Sequence, residues 1–163
     1  MESKITVRRA VPEDYEVIGR LLGDILRQHK AGRPDLFEPQ SDGSGKYTKE
    51  EFEKILADAK TVIFSAVGGG EVVGYLICKI IEERHNSVLK MIKTLYLDDL
   101  CVDKNYRRSG AGRLLMEAAE DYARGIGCHN ITLNVWEFNE NAKSFYEHMG
   151  YGTQRREMEK ILD

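Results

Sequence analysis

The sequence predicts a mixed α/β domain: one central sheet, mostly antiparallel, flanked by about four helices. Two observations carry that expectation. Two strand-like runs, 61–67 and 72–81, are joined by Gly68-Gly69-Gly70, the signature of an antiparallel hairpin. A strand–helix–strand unit over 95–135 instead demands a parallel pair joined by a right-handed crossover. A sheet holding both is mixed. The 163 residues fit a single domain, 1–163.

The elements follow in order. Residues 5–9 alternate and read as a short strand. Pro12, Glu13 and Asp14 open a helix, since proline is tolerated and acids are favoured in the first turn. Val17, Ile18, Leu21, Leu22, Ile25 and Leu26 recur at helical spacing, and Arg33-Pro34 ends the run. Residues 35–46 read as loop. Thr48 with Glu51 makes a capping box for a helix bearing Phe52, Ile55, Leu56 and Ala59. After the hairpin, polar residues 82–86 precede a strand over 92–102. Residues 110–125 form an amphipathic helix with apolar positions 114, 115, 118, 119, 122 and 123, closed by Gly125. A strand over 130–135, a helix over 139–149 and a last strand over 151–158 complete the order.

Composition narrows the function classes. The formal net charge is -3, which gives neither a field for nucleic acid nor a basic stripe for an anionic membrane. No apolar run reaches the roughly 18 residues of a membrane span. The N-terminus lacks a signal peptide's apolar stretch. Cys78, Cys101 and Cys128 are too few and too scattered for a disulfide framework or a metal knuckle, so a reducing, cytoplasmic setting is expected. His29, His85, His129 and His148 have no metal-ligand spacing, and no metal is expected.

Gly-x-Gly occurs five times, at 43/45, 68/70, 110/112, 125/127 and 150/152, so the pattern alone says nothing. Only the pair at 110/112 lies between a strand and a strong amphipathic helix, within Arg107-Arg108-Ser109-Gly110-Ala111-Gly112. A helix start presents unpaired N–H groups and the positive end of its dipole, and glycine lets an anion come close. Arginines add charge-assisted contacts. A phosphate cradle and a plain helix start with a solvated arginine pair both remain open on these residues. The P-loop pattern is absent, and Leu115 stands where GxGxxG needs its third glycine, which disfavours ATP and NAD.

Arg107-x-x-Gly110-x-Gly112 after a strand resembles the acyl-CoA pyrophosphate signature of the GNAT acetyltransferases. Asn139-x-x-Ala142-x-x-Phe145-Tyr146, followed by Gly150-Tyr151, is similar to that family's C-terminal motif. The resemblance covers roughly residues 60–160. It implies a GNAT-like sheet whose fourth and fifth strands splay apart, with acetyl-CoA in the opening. It further implies that Leu100, Cys101 and Val102 line the pantetheine arm, through the backbone of Leu100 and Val102. Residues Arg107, Arg108, Ser109, Gly110, Ala111, Gly112 and Arg113 would hold the pyrophosphate. Asn139, with Ala142 and Phe145 beside it, would reach the pantetheine arm, and Tyr146 would face the thioester sulfur.

An amine attacks a thioester only when neutral, and a lysine-type ammonium has a pKa of about 10.4 against about 8 for an α-ammonium. A base must take the proton. Asp98 is the first candidate and Asp99 the second, because relatives carry a Glu-Asp pair there. Adjacent strand residues point to opposite faces, so the pair is not expected to share one site. The departing thiolate resembles a cysteine thiol of pKa about 8.5, and the resemblance gives Tyr146 the role of acid. Tyr146 also fits the apolar face of its helix. Cys101 suits a packed strand residue better than a nucleophile.

In this family the first helices and their loop wall the acceptor pocket. That points to His29, Arg33 and Phe37, with Arg33 suited to clamp a carboxylate. Asp35, Asp98 and Glu137 suit a polycation instead. The acceptor expected is thus a primary amine, either a small molecule or a peptide. A cofactor-binding sensor or scaffold without turnover, and a nucleotide-binding module, are the competing classes. Many relatives dimerise, but no sequence feature fixes a homodimer.

Overall fold

The computed structural model describes residues 4–38, 47–83 and 86–162. Among them, strands β1 (Thr6–Arg9), β2 (Thr61–Gly68), β3 (Glu71–Ile81), β4 (Thr94–Val102) and β5 (Asn130–Leu133) form one sheet in sequential order. The first three junctions are antiparallel and β4–β5 is parallel. The helices are α1 (Tyr15–Gly32), α2 (Lys49–Ala57), α3 (Ala111–Gly125) and α4 (Glu140–His148), with 3-10 turns at Pro12–Asp14 and Lys104–Tyr106. The expected mixed sheet and helix order are present. Most of the loop expected over 35–46 lies outside the described residues, as does His85.

Local chemistry explains the boundaries. The hairpin turns on Gly69 and Gly70, whose φ of 62 and 85 belong to the left-handed region that glycine enters without cost. Thr48 accepts from the Glu51 amide, and its own amide donates to Glu51 Oε2 at 2.7 Å, so the capping box forms. At Pro12–Asp14 the chain makes a single tight turn before α1. The Asp14 carboxylate accepts there from both Arg8 guanidinium nitrogens (2.7 and 2.9 Å), the Ser65 hydroxyl (2.8 Å) and the Val11 amide (3.1 Å). Burial alone would raise its pKa; these donors together hold it below the ordinary value.

Each face of the sheet has its own core. One face packs Val62, Phe64, Ala66, Leu76, Cys78, Leu95 and Leu97 against Ala111, Leu115, Met116, Ala119 and Ala123 of α3. The other packs Ile63, Tyr75 and Ile77 against Ile18, Leu21 and Leu22 of α1 and Phe52 of α2.

One expectation fails. Residues 151–158 form no ladder; the chain from Tyr151 to Leu162 forms neither helix nor strand and, past Tyr151, is exposed. Its middle, Arg155 to Glu157 with Glu159 and Lys160, is charged, so it offers no continuous apolar face to anchor it on its own sheet.

Candidate active site

The site begins where β4 outruns β5. The two pair only over Thr94–Leu97 and Asn130–Leu133, while β4 continues to Val102. From Asp98 onward, the flank of β4 towards β5 carries no strand among the described residues. The expected splay of the fourth and fifth strands is thus present, with Leu100, Cys101 and Val102 along its open edge.

The expectation that Asp98 and Asp99 face opposite ways is wrong. Ile77 pairs with Asp99 and Cys78 with Leu97, so Asp98 is an extra residue in β4, a β-bulge. Asp99 opposite Ile77 lies on the α1 face of the sheet. Asp98 reaches the same face, where its Oδ2 meets Lys79 Nζ at 2.9 Å. The bulge puts two neighbouring carboxylates on one side. The sequence carried the signal: apolar residues at 95, 97, 100 and 102 skip one step in an otherwise strict alternation.

Under this pair lies Tyr75, which sequence reading treated only as strand. Its ring is fully buried and its hydroxyl has no hydrogen-bond partner among the described residues. Burial first, then the charges of Asp99 and other neighbours, holds it protonated far above the ordinary tyrosine range. Cys101, opposite Tyr75, donates from Sγ to the Leu21 carbonyl at 3.4 Å. Burial raises its thiol pKa to about 12, which suits packing and not nucleophilic attack.

The loop before α3 carries two left-handed residues, Arg108 (φ 65) and Gly110 (φ 88). The Leu114 amide donates to the Gly110 carbonyl, so the Gly112 and Arg113 amides fall in the first turn, where a helix has no carbonyl to receive them. A Cβ on Gly110 would meet nothing within 4 Å, and the space above the helix start is open. A Cβ on Gly112 would stand 3.3 Å from Phe145 and 3.8 Å from Val102. Gly112 thereby lets α3, α4 and the end of β4 converge. Ser109 shares its hydroxyl with the Tyr106 carbonyl and the Ala111 amide. Arg113 is ion-paired with Glu117, and Arg107 lines a pocket of about 260 Å³ with Asp24, Arg27, Gln28, Cys101, Val102 and Lys104. The α1 residues of this pocket were missed in the sequence.

Asn139 caps α4, its Oδ1 accepting from the Ala142 amide at 3.2 Å. Phe145 and Tyr146 meet edge to face at 5.3 Å. Burial, with a contribution from Asp99, raises the Tyr146 pKa to about 12. That contribution links the hydroxyl electrostatically to Asp99.

His29 and Phe37 meet at 5.7 Å, and Trp136 and Phe138 join them. Phe138 lies where a side chain on Gly32 would be, at 2.3 Å from its Cβ position. Arg33 is not an open clamp. Its guanidinium donates to both oxygens of Asp35 (3.0 and 2.8 Å) and both of Glu159 (2.5 and 3.2 Å).

Three kinds of residue thus fit an acyl-CoA: an unpaired strand edge, a glycine-opened helix start and a tyrosine at the mouth of the splay. Among the described residues no helix is long and apolar enough to cross a membrane. The Acetyltransferase (GNAT) family profile matches residues 27–151. Human N-alpha-acetyltransferase 30 is 32% identical over 123 residues, which are 75% of this chain and 30% of that protein, so the chain spans under a third of its length. A mutant of the BH1408 protein from Bacillus halodurans has a similar structure, with a TM-score of 0.89 and 28% identity over 96% of this chain and 99% of that one. Aminoglycoside N-acetyltransferase AAC(6')-Iy, solved with CoA, shares the fold at a TM-score of 0.73 and 17% identity, over 98% of this chain and 95% of that one. With the profile spanning most of its length, the chain belongs to the GNAT acetyltransferase family.

Proposed function

We propose that the protein transfers an acetyl group from acetyl-CoA to a primary amine held on the α1 side of the splay. The observation that supports this reading is the convergence of the end of β4, the first turn of α3 and α4 at Gly112, with Tyr146 on α4 influenced by Asp99. Acetyl-CoA supplies the acetyl group as an activated thioester. Leu100, Cys101 and Val102 orient its arm by main-chain pairing, while Arg107, Arg108, Ser109, Gly110, Ala111, Gly112 and Arg113 hold its phosphates. Asn139 spends its carbonyl oxygen on the helix cap and keeps its amide nitrogen for the arm; Ala142 and Phe145 shape the wall.

The carboxylates of Asp98 and Asp99 take the proton that an ammonium acceptor must lose. Tyr146 keeps its own proton at neutral pH and donates a hydrogen bond at the sulfur end. Because Arg33 is filled by Asp35 and Glu159, the clamp for a free amino acid's carboxylate is withdrawn. The wall is aromatic (His29, Phe37, Trp136 and Phe138) with acids at its margin. That suits an amine whose body is apolar or cationic, such as a polyamine, an aminoglycoside or a peptide N-terminus. An N-alpha-acetyltransferase is among its relatives, and an aminoglycoside acetyltransferase solved with sisomicin shares its fold.

The test is thiol release across a panel of amino acids, polyamines, aminoglycosides and peptides. Trp136→Ala should raise KM for the accepted amine several-fold and leave KM for acetyl-CoA unchanged. Turnover of free amino acids alone, or an unaltered acceptor KM, would refute this placement.

A further inference from the structure

Two carboxylates side by side on one face repel, and only one of them is needed to take a proton. Strand β3 sets a cation beside them. Tyr75, Ile77 and Lys79 stand at alternate positions and so share the α1 face. Tyr75 and Ile77 are buried in the core of that face, and Lys79 stands at its margin. The bulge in β4 brings Asp98 to this lysine: Nζ and Oδ2 meet at 2.9 Å, with the two side chains 51% and 25% exposed. That hydrogen bond raises the lysine pKa above its ordinary value, so the ammonium is charged throughout the neutral range.

A half-exposed ion pair contributes little to stability, because water competes for both charges. What Lys79 alters is the division of labour between the two acids. It engages Asp98. Asp99, opposite Ile77, is the acid whose charge acts on the Tyr146 hydroxyl and, ahead of Asp98, on Tyr75. A base for an amine that attacks the thioester belongs on the side of the group that serves the sulfur, and that acid is Asp99. Adjacent carboxylates left to themselves favour holding a proton between them, and a base already protonated cannot take another. The remaining titratable groups acting on this cluster are Tyr47, ahead of α2, and Cys101, with Asp24 of α1 beyond it.

We propose that Lys79 is a positioning residue: it holds Asp98 in an ion pair, cancels that charge beside Asp99, and so leaves Asp99 to take the amine's proton. The proposal rests on the acetyl-transfer reading. The ammonium gives one proton to Asp99, and its nitrogen then bonds to the acetyl carbon. The carbon–sulfur bond breaks, sulfur leaves with the bonding electrons, and the second proton released by nitrogen neutralises it.

The test is the pH dependence of kcat for thiol release at saturating acetyl-CoA and amine. Where the base gains a proton kcat falls, and that acid limb is the readout. Lys79→Gln leaves the Asp98 charge uncancelled, so the limb should move to higher pH, and kcat at its foot should fall at least about threefold. Asp98→Asn leaves the lysine uncancelled, so the limb should move to lower pH. A purely structural role does not yield opposite shifts from the two ends of one ion pair. Lys79→Arg should restore the wild-type profile. Asp99→Asn should lower kcat about 100-fold or more and abolish the limb. A limb lost in Asp98→Asn but kept in Asp99→Asn, or one that Lys79→Gln does not move, would overturn the proposal and leave acetyl transfer standing. Carbon-13 titration of the Asp99 carboxyl, with no acceptor present, should show the same opposite displacements in Lys79→Gln and Asp98→Asn; displacements that are absent or in one direction would refute the arrangement. No thiol release from the wild type with any amine would instead refute acetyl transfer, and the base role with it.

Discussion

Replacing Tyr146 by phenylalanine removes one oxygen from the mouth of the splay and keeps the ring contacts with Phe145 and Tyr151. The size of the effect follows from the hydroxyl's environment. Burial, aided by Asp99, brings its pKa to about 12, whereas a departing thiol has one of about 8.5. Complete proton transfer to such a thiolate is uphill by about 3.5 units, or about 5 kcal/mol. In the proposed mechanism Tyr146 would therefore act by donating a hydrogen bond to developing negative charge, an interaction of about 1.5–3 kcal/mol. Tyr146→Phe should lower kcat about 10- to 150-fold. KM for acetyl-CoA should stay within about twofold, since the lost contact strengthens only in the transition state. Thiol release under saturating acceptor measures this directly. The hydroxyl stays protonated at every pH below its own pKa, so it produces no alkaline decline in kcat around pH 9. A kcat unchanged by the substitution would remove Tyr146 from the chemistry. An alkaline limb near pH 9 that vanishes in Tyr146→Phe would show that its proton is lost far earlier than the buried ring implies.

Gly110→Asp forces a side chain into φ 88, at about 1–2 kcal/mol of strain, and sets a carboxylate at the proposed phosphate site. Calorimetry should find acetyl-CoA binding at least about tenfold weaker, and wild-type affinity would move the phosphate site elsewhere. Asp14→Asn should cost about 1–2 kcal/mol at neutral pH in urea unfolding, the exposed side of the Arg8 pair being discounted for solvent. Because the folded Asp14 pKa lies below the unfolded one, its stabilisation is complete above the ordinary carboxylate pKa and is lost as pH falls through the folded value. The wild type and Asp14→Asn curves should therefore converge in acid; a gap that persists there would disprove the linkage. Tyr75→Phe deletes a buried hydroxyl without a partner, and unfolding should show stability unchanged or raised by about 1 kcal/mol. A clear destabilisation would reveal that the hydroxyl is satisfied, by a bound water for instance.

What the sequence disclosed was whatever is local. Helix α3 declares itself by its apolar period and α2 by Thr48 and Glu51. The hairpin shows in its glycines, and the opening in the motif around Gly110 and Gly112. Contacts made by distant segments stayed hidden. Trp136 and Phe138 join His29 only because the loop after β5 folds back over Gly32. Arg33 looked like a free clamp because Glu159, 126 residues away, is invisible to local reading. The last strand was expected from its position in the order, but the charged run Arg155 to Glu157 lacks the apolar alternation that would seat it on the outer edge of β5. The face of Asp98 was misread for a different reason: the rule of alternation was applied across an insertion that the spacing of the leucines already betrayed.

That insertion has a lasting consequence. The single surplus residue at Asp98 works as a phase shift in β4. Leu95 and Leu97 before it, and Leu100 and Val102 after it, still reach the same interior, while the reversal itself is spent on two acids turned the other way. Chemistry at the mouth can therefore drift, by exchange of either acid, without any change to the hydrophobic packing that anchors the strand at both ends. Removing the residue would force a choice, since a strand in perfect alternation can keep its interior or its paired acids, but not both.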